Sequence, residues 1–324
     1  MLKKTLIRCL FVSIAALCPF AFASAQLPET AALQEKVEAI VRNAHADVGV
    51  AIESGGDSEK AAFNAGKPFP MQSVFKFPLA LAVLDRVDKG KLDLDAPVFL
   101  TPADLLPDTH SPLREKYPEG HVSVSLREIL IDTVTLSDNN GCDILLRLLG
   151  GPQAVDRYVK GLGISGMEIG ATEAEMHEFP EKQFANTATP AAANRLLRLF
   201  YQRKLLKPSS QELLMKLMEG TLTGPGRLRE PLPAGTALLH KTGTGNSFGE
   251  HGPTVNDIGI IMLPDGHPVL ISVFITDAKD SMLETEKTIA ALSEAAWKHY
   301  SSPRSKNPLS ATRYHVRELF RLDE

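Results

Sequence analysis

Ser73 and Lys76 stand three residues apart in Met71-Gln72-Ser73-Val74-Phe75-Lys76-Phe77-Pro78, a spacing that permits nucleophilic chemistry. A serine hydroxyl attacks a carbonyl poorly until a base takes its proton, and a desolvated lysine can be that base. The pair lies between the Pro/Gly-punctuated segment Gly66-Lys67-Pro68-Phe69-Pro70 and a helically spaced apolar run, Leu79, Ala80, Leu81, Val83, Leu84 and Val87. A helix is therefore predicted to begin near Ser73, with free backbone N–H groups and the positive end of its dipole close to the hydroxyl. Lys76 then falls on the same face. Ser-x-x-Lys is expected about once by chance in a chain of this length, and alone it reads as a capping serine beside a solvated lysine.

Two further polar stretches give the pair its meaning. Ser137-Asp138-Asn139 sits between two apolar helical runs, and Lys241-Thr242-Gly243 follows the strand-like Ala237-Leu238-Leu239. Ser-x-x-Lys, Ser-Asp-Asn and Lys-Thr-Gly in this order are the signature shared by class A β-lactamases and penicillin-binding proteins. The mature chain resembles a class A serine β-lactamase throughout. Gly151-Pro152, Glu173-Ala174-Glu175-Met176-His177 and Leu232-Pro233-Ala234-Gly235-Thr236 make it most similar to the PER-type extended-spectrum subgroup.

The resemblance implies a role for each residue. Ser73 attacks the lactam carbonyl, Lys76 relays its proton, and the backbone N–H groups of Ser73 and Thr244 hold the oxyanion. Glu173 activates the water that removes the acyl group; whether it or the lysine is the acylation base is disputed. Ser137 passes a proton to the departing nitrogen, and Asn139 binds the substrate's side-chain amide. Lys241, Thr242 and Thr244 face the substrate carboxylate, with Arg227 beneath it. His110 stands where many members place an aromatic beside the substrate and is equally read as a rim residue; His177 stands where most place an asparagine at the deacylating water, and either does that job or merely packs. Asp138 is expected to tie down backbone N–H groups, and Glu175 and Glu178 to be solvated loop charges. No cofactor is implied, and no histidine pair has zinc-site spacing.

Three departures from the family pattern border the pocket. Ala171 replaces an arginine that commonly ties the Glu173 loop shut, and Asp143 replaces the asparagine that braces it. Between Thr244 and Gly259 the chain is a few residues longer, through Gly245-Asn246-Ser247-Phe248-Gly249. No arginine occurs from Lys241 to Asp277, which leaves Arg227 as the carboxylate's guanidinium. A loosely tied loop and a glycine-rich extension able to swing aside predict a wide pocket, taking oxyimino-cephalosporins but handling carbapenems poorly.

These residues need a scaffold. Apolar spacing predicts helices over 29–44, 124–134, 154–162, 190–205, 209–218 and 282–300, and strands over 48–52, 237–244, 256–263 and 269–276. Asp265-Gly266 marks a tight hairpin between the last two. The fold class reads as α/β in the α+β sense, an antiparallel sheet with flanking helices plus an inserted all-α lobe and the site at their junction, and the resemblance implies the β-lactamase and penicillin-binding-protein type. Residues 26–68 and 221–300 form the αβ lobe, 69–220 the all-α lobe, and 301–324 a charged tail. With 324 residues, 44% of them hydrophobic, the core is ample.

Composition narrows the rest. Thirty-five basic residues against 39 acidic, a formal charge of −4, give no field for nucleic acid. Residues 1–25 read as an export signal: Lys3, Lys4 and Arg8, an apolar core to Phe22, then Ala23-Ser24-Ala25 before Gln26. A periplasmic or secreted monomer acting on small β-lactams, with no stable membrane insertion, is the expectation. Only Cys142 remains after cleavage at Ala25/Gln26, so no internal disulfide forms. The rival functions are a D-Ala-D-Ala peptidase of the penicillin-binding type, which lacks a deacylating carboxylate, and a sensor that acylates without turnover.

Overall fold

A computed structural model describes residues 29–54 and 60–302; the proposed export signal and nearly all of the 301–324 tail lie outside them. From the N-terminus the elements are α1 (Glu29–Arg42), β1 (Asp47–Ser54), β2 (Lys60–Phe63), β3 (Phe69–Pro70), α2 (Lys76–Asp88), β4 (Pro97–Leu100), α3 (Pro112–Lys116), β5 (Val122–Ser125), α4 (Leu126–Thr135) and α5 (Asn139–Leu149). There follow α6 (Pro152–Gly161), β6 (Met167–Ile169), α7 (Glu173–Glu178), β7 (Asn186–Ala188), α8 (Pro190–Tyr201), α9 (Pro208–Glu219), β8 (Leu238–Gly245), β9 (Thr254–Met262), β10 (Pro268–Thr276) and α10 (Met282–Ser301).

Five strands form one antiparallel sheet in the order β2-β1-β10-β9-β8, so both ends of the chain build it and β8 lies at its edge. Every residue of β10 is buried, because both faces are covered. Val269, Ile271, Val273 and Ile275 pack with α1 and α10, whereas Leu270 and Phe274 join the core beneath the helical insertion. This is period-2 alternation between two apolar layers. The outer layer closes on Leu33 and Val37 from one end of the chain and on Ile289, Leu292 and Ala296 from the other.

The insertion is organised around α2, whose residues from Lys76 to Leu84 are all buried. Its neighbours begin where the sequence supplies caps: Ser125 accepts from Glu128 N at 3.2 Å to start α4, and Thr189 accepts from Ala192 N at 3.1 Å with Pro190 next to start α8. Gly150, at φ +91°, ends α5 as a left-handed cap.

Several details differ from expectation. The first residues of the helix predicted at 124 are instead strand β5, paired with β4, because Val122 and Val124 satisfy an edge that a helix would leave open. The β9–β10 connection is five residues long, closed by Leu263 N to His267 O at 2.9 Å, with Gly266 at φ +84°. The Glu173 region, expected as irregular, contains α7, a 3-10 turn over Pro180–Ala185 and β7, which pairs with both β3 and β6.

Candidate active site

Ser73 lies in a single 3-10 turn, Gln72–Phe75, that runs directly into α2, rather than in the α-helix itself. The tight turn is possible because the segment is clamped from the sheet. Asn256 on β9 donates to the carbonyls of Pro70 (2.9 Å) and Met71 (3.0 Å), while its oxygen accepts from Ile275 N at 3.2 Å. Gly243 on β8 lets the turn seat: a Cβ there would stand 2.4 Å from Met71 O. Gln72 consequently takes φ +48°, an unfavourable conformation for a residue with a side chain, adjacent to the nucleophile.

Lys76 is fully buried, and its ammonium is the hub of the site. It donates to Ser73 Oγ at 2.9 Å, to Ser137 O at 2.8 Å and to Asn139 Oδ1 at 2.5 Å, and lies 2.9 Å from Glu173 Oε1. Glu173 Oε1 is buried and meets the ammonium as an ion pair outside hydrogen-bond geometry. Ser137 reaches the hub only through a left-handed backbone, φ +63°, which turns its carbonyl to Lys76 and its hydroxyl to Lys241 Nζ, 3.0 Å away. Asp138 supports that bend by accepting from Ser111 Oγ (3.0 Å), Leu113 N (2.6 Å) and Gly141 N (2.7 Å).

Burial and the nearby Lys76 charge push the Lys241 ammonium down to about 7. Besides Ser137 it donates only to Thr242 O, at 3.0 Å. Thr242 Oγ1 and Thr223 Oγ1 are 2.5 Å apart, and Thr244 Oγ1 accepts from Arg227 Nη2 at 2.7 Å. Arg227 lies almost wholly buried under β8. Its Nε pairs with Glu286 of α10 at 3.0 Å, and its Nη1 serves Gly243 O and Asn256 O at 3.1 and 2.9 Å. Four of its five N–H groups are so engaged, leaving one on Nη2 beside Thr244.

The carboxylate side is held by a set of contacts other than an arginine at 171. Asn186, fully buried, accepts from Gly170 N (2.8 Å) and Ala171 N (3.0 Å) and donates to Ala171 O at 3.0 Å. Asp143 accepts from Glu173 N and Ala174 N, each at 2.8 Å, at the N-terminus of α7. Burial outweighs those two bonds and lifts the Asp143 carboxyl to about 6, with the Glu173 charge adding to the rise. Glu175 is not a solvated charge: it closes a capping box with Thr172, at 2.9 Å to Thr172 N.

The remaining sequence-derived residues lie at the rim. His110 is exposed and donates from Nε2 to Leu136 O at 2.8 Å, while its own carbonyl accepts from Asn139 N at 3.0 Å; it thereby steadies the Ser137 bend. His177 is exposed on α7 and makes no side-chain hydrogen bond among the described residues. Asn139 is bound at both ends, to Lys76 and, through Nδ2, to Thr109 Oγ1 at 2.7 Å. Asn256, Asn186 and Glu286 escaped the sequence reading. Asn256 and Asp257 offered a signal, as a polar pair inside an otherwise apolar strand; Asn186 and Glu286 gave none.

Ser73, Lys76 and Glu173 meet at the seam between the antiparallel sheet and the helical layer. The comparisons agree: residues 32–300 match the beta-lactamase enzyme family. The chain is 38% identical over 299 residues to beta-lactamase VEB-1 of Pseudomonas aeruginosa, covering 92% of this chain and 99% of that one. It is 41% identical over 274 residues to extended-spectrum beta-lactamase PER-1 of the same organism, covering 85% and 88%. The crystal structure of TLA-3 extended-spectrum beta-lactamase superposes with a TM-score of 0.82 at 40% identity, over 84% of this chain and all of that one. The chain belongs to the beta-lactamase family, as a class A β-lactam hydrolase.

Proposed function

We propose that the chain hydrolyses penicillins and cephalosporins, oxyimino-cephalosporins among them, through a Ser73 acyl-enzyme released by a Glu173-activated water. The observation that carries this reading is the Glu173 carboxylate, held 2.9 Å from the Lys76 ammonium that itself donates to Ser73 Oγ. A penicillin-binding peptidase has no use for such a group.

In the resting site Lys76 spends all three protons as a donor, so it cannot accept the Ser73 proton until it has lost one. Glu173, 2.9 Å away, is placed to take it. Ser73 Oγ then attacks the lactam carbonyl as its proton passes to Lys76. The C–N bond breaks with protonation of nitrogen through Ser137, whose hydroxyl Lys241 holds. As the Lys76 proton passes through Ser137 to nitrogen, Glu173 returns its proton to Lys76; Glu173, a carboxylate again, then takes a proton from the water that attacks the ester, and that proton passes back through Lys76 to the departing Ser73 Oγ. Lys241, Thr242, Thr244 and the free Nη2 proton of Arg227 form the positive end of the cleft, suited to the carboxylate common to these drugs.

Mixing the mature protein with a chromogenic cephalosporin tests the reading: fast multiple turnover supports it, and a single burst or slow turnover assigns the chain to the sensor or peptidase class. Oxyimino activity is read separately, as kcat/KM for ceftazidime against benzylpenicillin and imipenem; a ceftazidime value as low as that for imipenem removes that part. For residues 1–25, the charged start, apolar core and small-residue ending support export, which N-terminal sequencing of the mature protein checks.

A further inference from the structure

The glycine-rich extension after Thr244 does not hang free. Phe248 and His251 exchange backbone hydrogen bonds of 2.9 Å in both directions, folding the segment back on itself. Asp277, just past β10, anchors the fold by accepting from Gly252 N at 3.1 Å and lying 3.1 Å from His251 Nδ1. The expectation of a flap that swings aside therefore needs revision: the extension is braced, and it points one side chain back across the cleft.

That side chain is His251, which meets Phe184 from the opposite wall with ring centroids 4.9 Å apart and planes at 57°. Phe184 sits in the turn Pro180–Ala185, which follows the helix bearing Glu173. Deeper in the same gap, Gln72 Nε2 donates to Gln183 Oε1 at 2.8 Å. Its amide lies flat on Gly245, where a Cβ would stand 2.4 Å from Nε2. The space between the Glu173 loop and the end of β8 is thus crossed twice, by an amide pair next to the nucleophile and by an aromatic pair outside it.

The outer contact is dispensable for folding. Phe184 is 38% exposed and belongs to neither apolar core, and the His251 side chain is half exposed. A large aromatic that leaves the core to lie against an imidazole on another loop stabilises one arrangement of two loops and little else. Closed, it caps the gap that a bulky acylamino substituent would enter. Small substituents leave it undisturbed.

We propose that Phe184 and His251 form a gate over the acylamino subsite, which large β-lactams displace and small ones do not, so that the pair sets the ratio between them. The inference rests on the hydrolase reading above. Opening costs binding energy only for large substrates, which is discrimination by a removable obstacle.

The test compares Phe184→Ala, His251→Ala, the double variant and His251→Phe. The ratio of kcat/KM for ceftazidime to that for benzylpenicillin should rise about two- to tenfold in each alanine variant, the range an aromatic pair spans. The gain should appear mainly in KM. The double variant should gain no more than either single one, since all three remove the same contact, and His251→Phe should return the ratio to the wild-type value. A wild-type ratio in the double variant, or an equal loss on both substrates, overturns the gate. Acylation rates for the two drugs, followed by intact mass, read the gate even if turnover fails. A wild-type protein that never releases its acyl group would sink the hydrolase reading while leaving the gate to be judged on those rates.

Discussion

Glu173 Oε1 stands 2.9 Å from Lys76 Nζ, outside hydrogen-bond geometry, while that ammonium donates to Ser73, Ser137 and Asn139. Attraction without a directed bond keeps the carboxylate close and still able to accept. A small rotation of the ammonium would turn an N–H toward Glu173 and let a proton pass between the two.

Replacing Glu173 with Gln should therefore spare acylation more than deacylation. General-base removal typically costs ~10²–10⁴-fold, and the acyl-enzyme should accumulate as a stable mass increment with penicillin. Normal turnover in this variant would move the role to another carboxylate of the loop, Glu175 or Glu178.

Arg227 acts at one remove and with one free N–H. Arg227→Ala should lower kcat/KM for penicillins and cephalosporins about ten- to a hundredfold, the loss expected of a charge-assisted contact. Arg227→Lys should rescue little, since one ammonium cannot serve Glu286, Gly243, Asn256 and Thr244 together. Equal kcat/KM in wild type and Arg227→Ala would end this assignment.

Two buried groups bound the pH profile. Asp143, raised to about 6, is an ionised double acceptor above that pH; below it the added proton competes with the N–H groups of Glu173 and Ala174. Lys241, lowered to about 7, is charged below that pH and loses its pull on the substrate carboxylate above it. The kcat/KM profile of the free enzyme should be a narrow bell with limbs near those values, and Lys241→Arg should shift the alkaline limb upward. For stability the sign for Asp143 is reversed. Its folded pKa exceeds the ordinary 3.8, so its contribution falls as pH rises between 3.8 and about 6, and the burial penalty is fully present above. Urea midpoints of wild type and Asp143→Asn across that window would show it.

Asn186→Ala removes the lock that stands in for an arginine at 171. Two backbone N–H groups and one carbonyl lose their partner in a fully buried site. Unfolding free energy should fall by roughly 3 kcal/mol, and deacylation should slow more than acylation because α7 loses its base. An unchanged melting temperature would contradict this.

Ser73, Lys76, Ser137, Glu173 and Lys241 were legible as one cluster because the motifs restrict both residue type and order, and hydrogen bonds and an ion pair join them. The sheet strands were legible because β10 and β9 are long apolar runs. What holds the loop was not. Asn186 lies in a three-residue strand with no periodicity, and its partners are backbone groups that carry no side-chain signature. The Arg227–Glu286 pair joins residues from separate elements, and no local pattern links them. The extension was misread for a related reason: glycines announce freedom, whereas its brace comes from Asp277, distant in sequence.

The sheet order has a consequence for biogenesis. Strand β1 is made early but ends up inside the sheet, zipped to β10 through partners such as Asp47 and Thr276, far apart in sequence. Until β10 emerges, β1 has only the short β2 beside it, and one edge with its row of N–H and C=O groups is unclaimed. Closure waits for nearly the whole polypeptide, and such distant pairing is slow. A nascent chain cannot acquire this active site piecemeal, and shortening it before Thr276 would strand the nucleophile without the Lys241 wall. During that wait the chain is most exposed to proteases and to aggregation through β1.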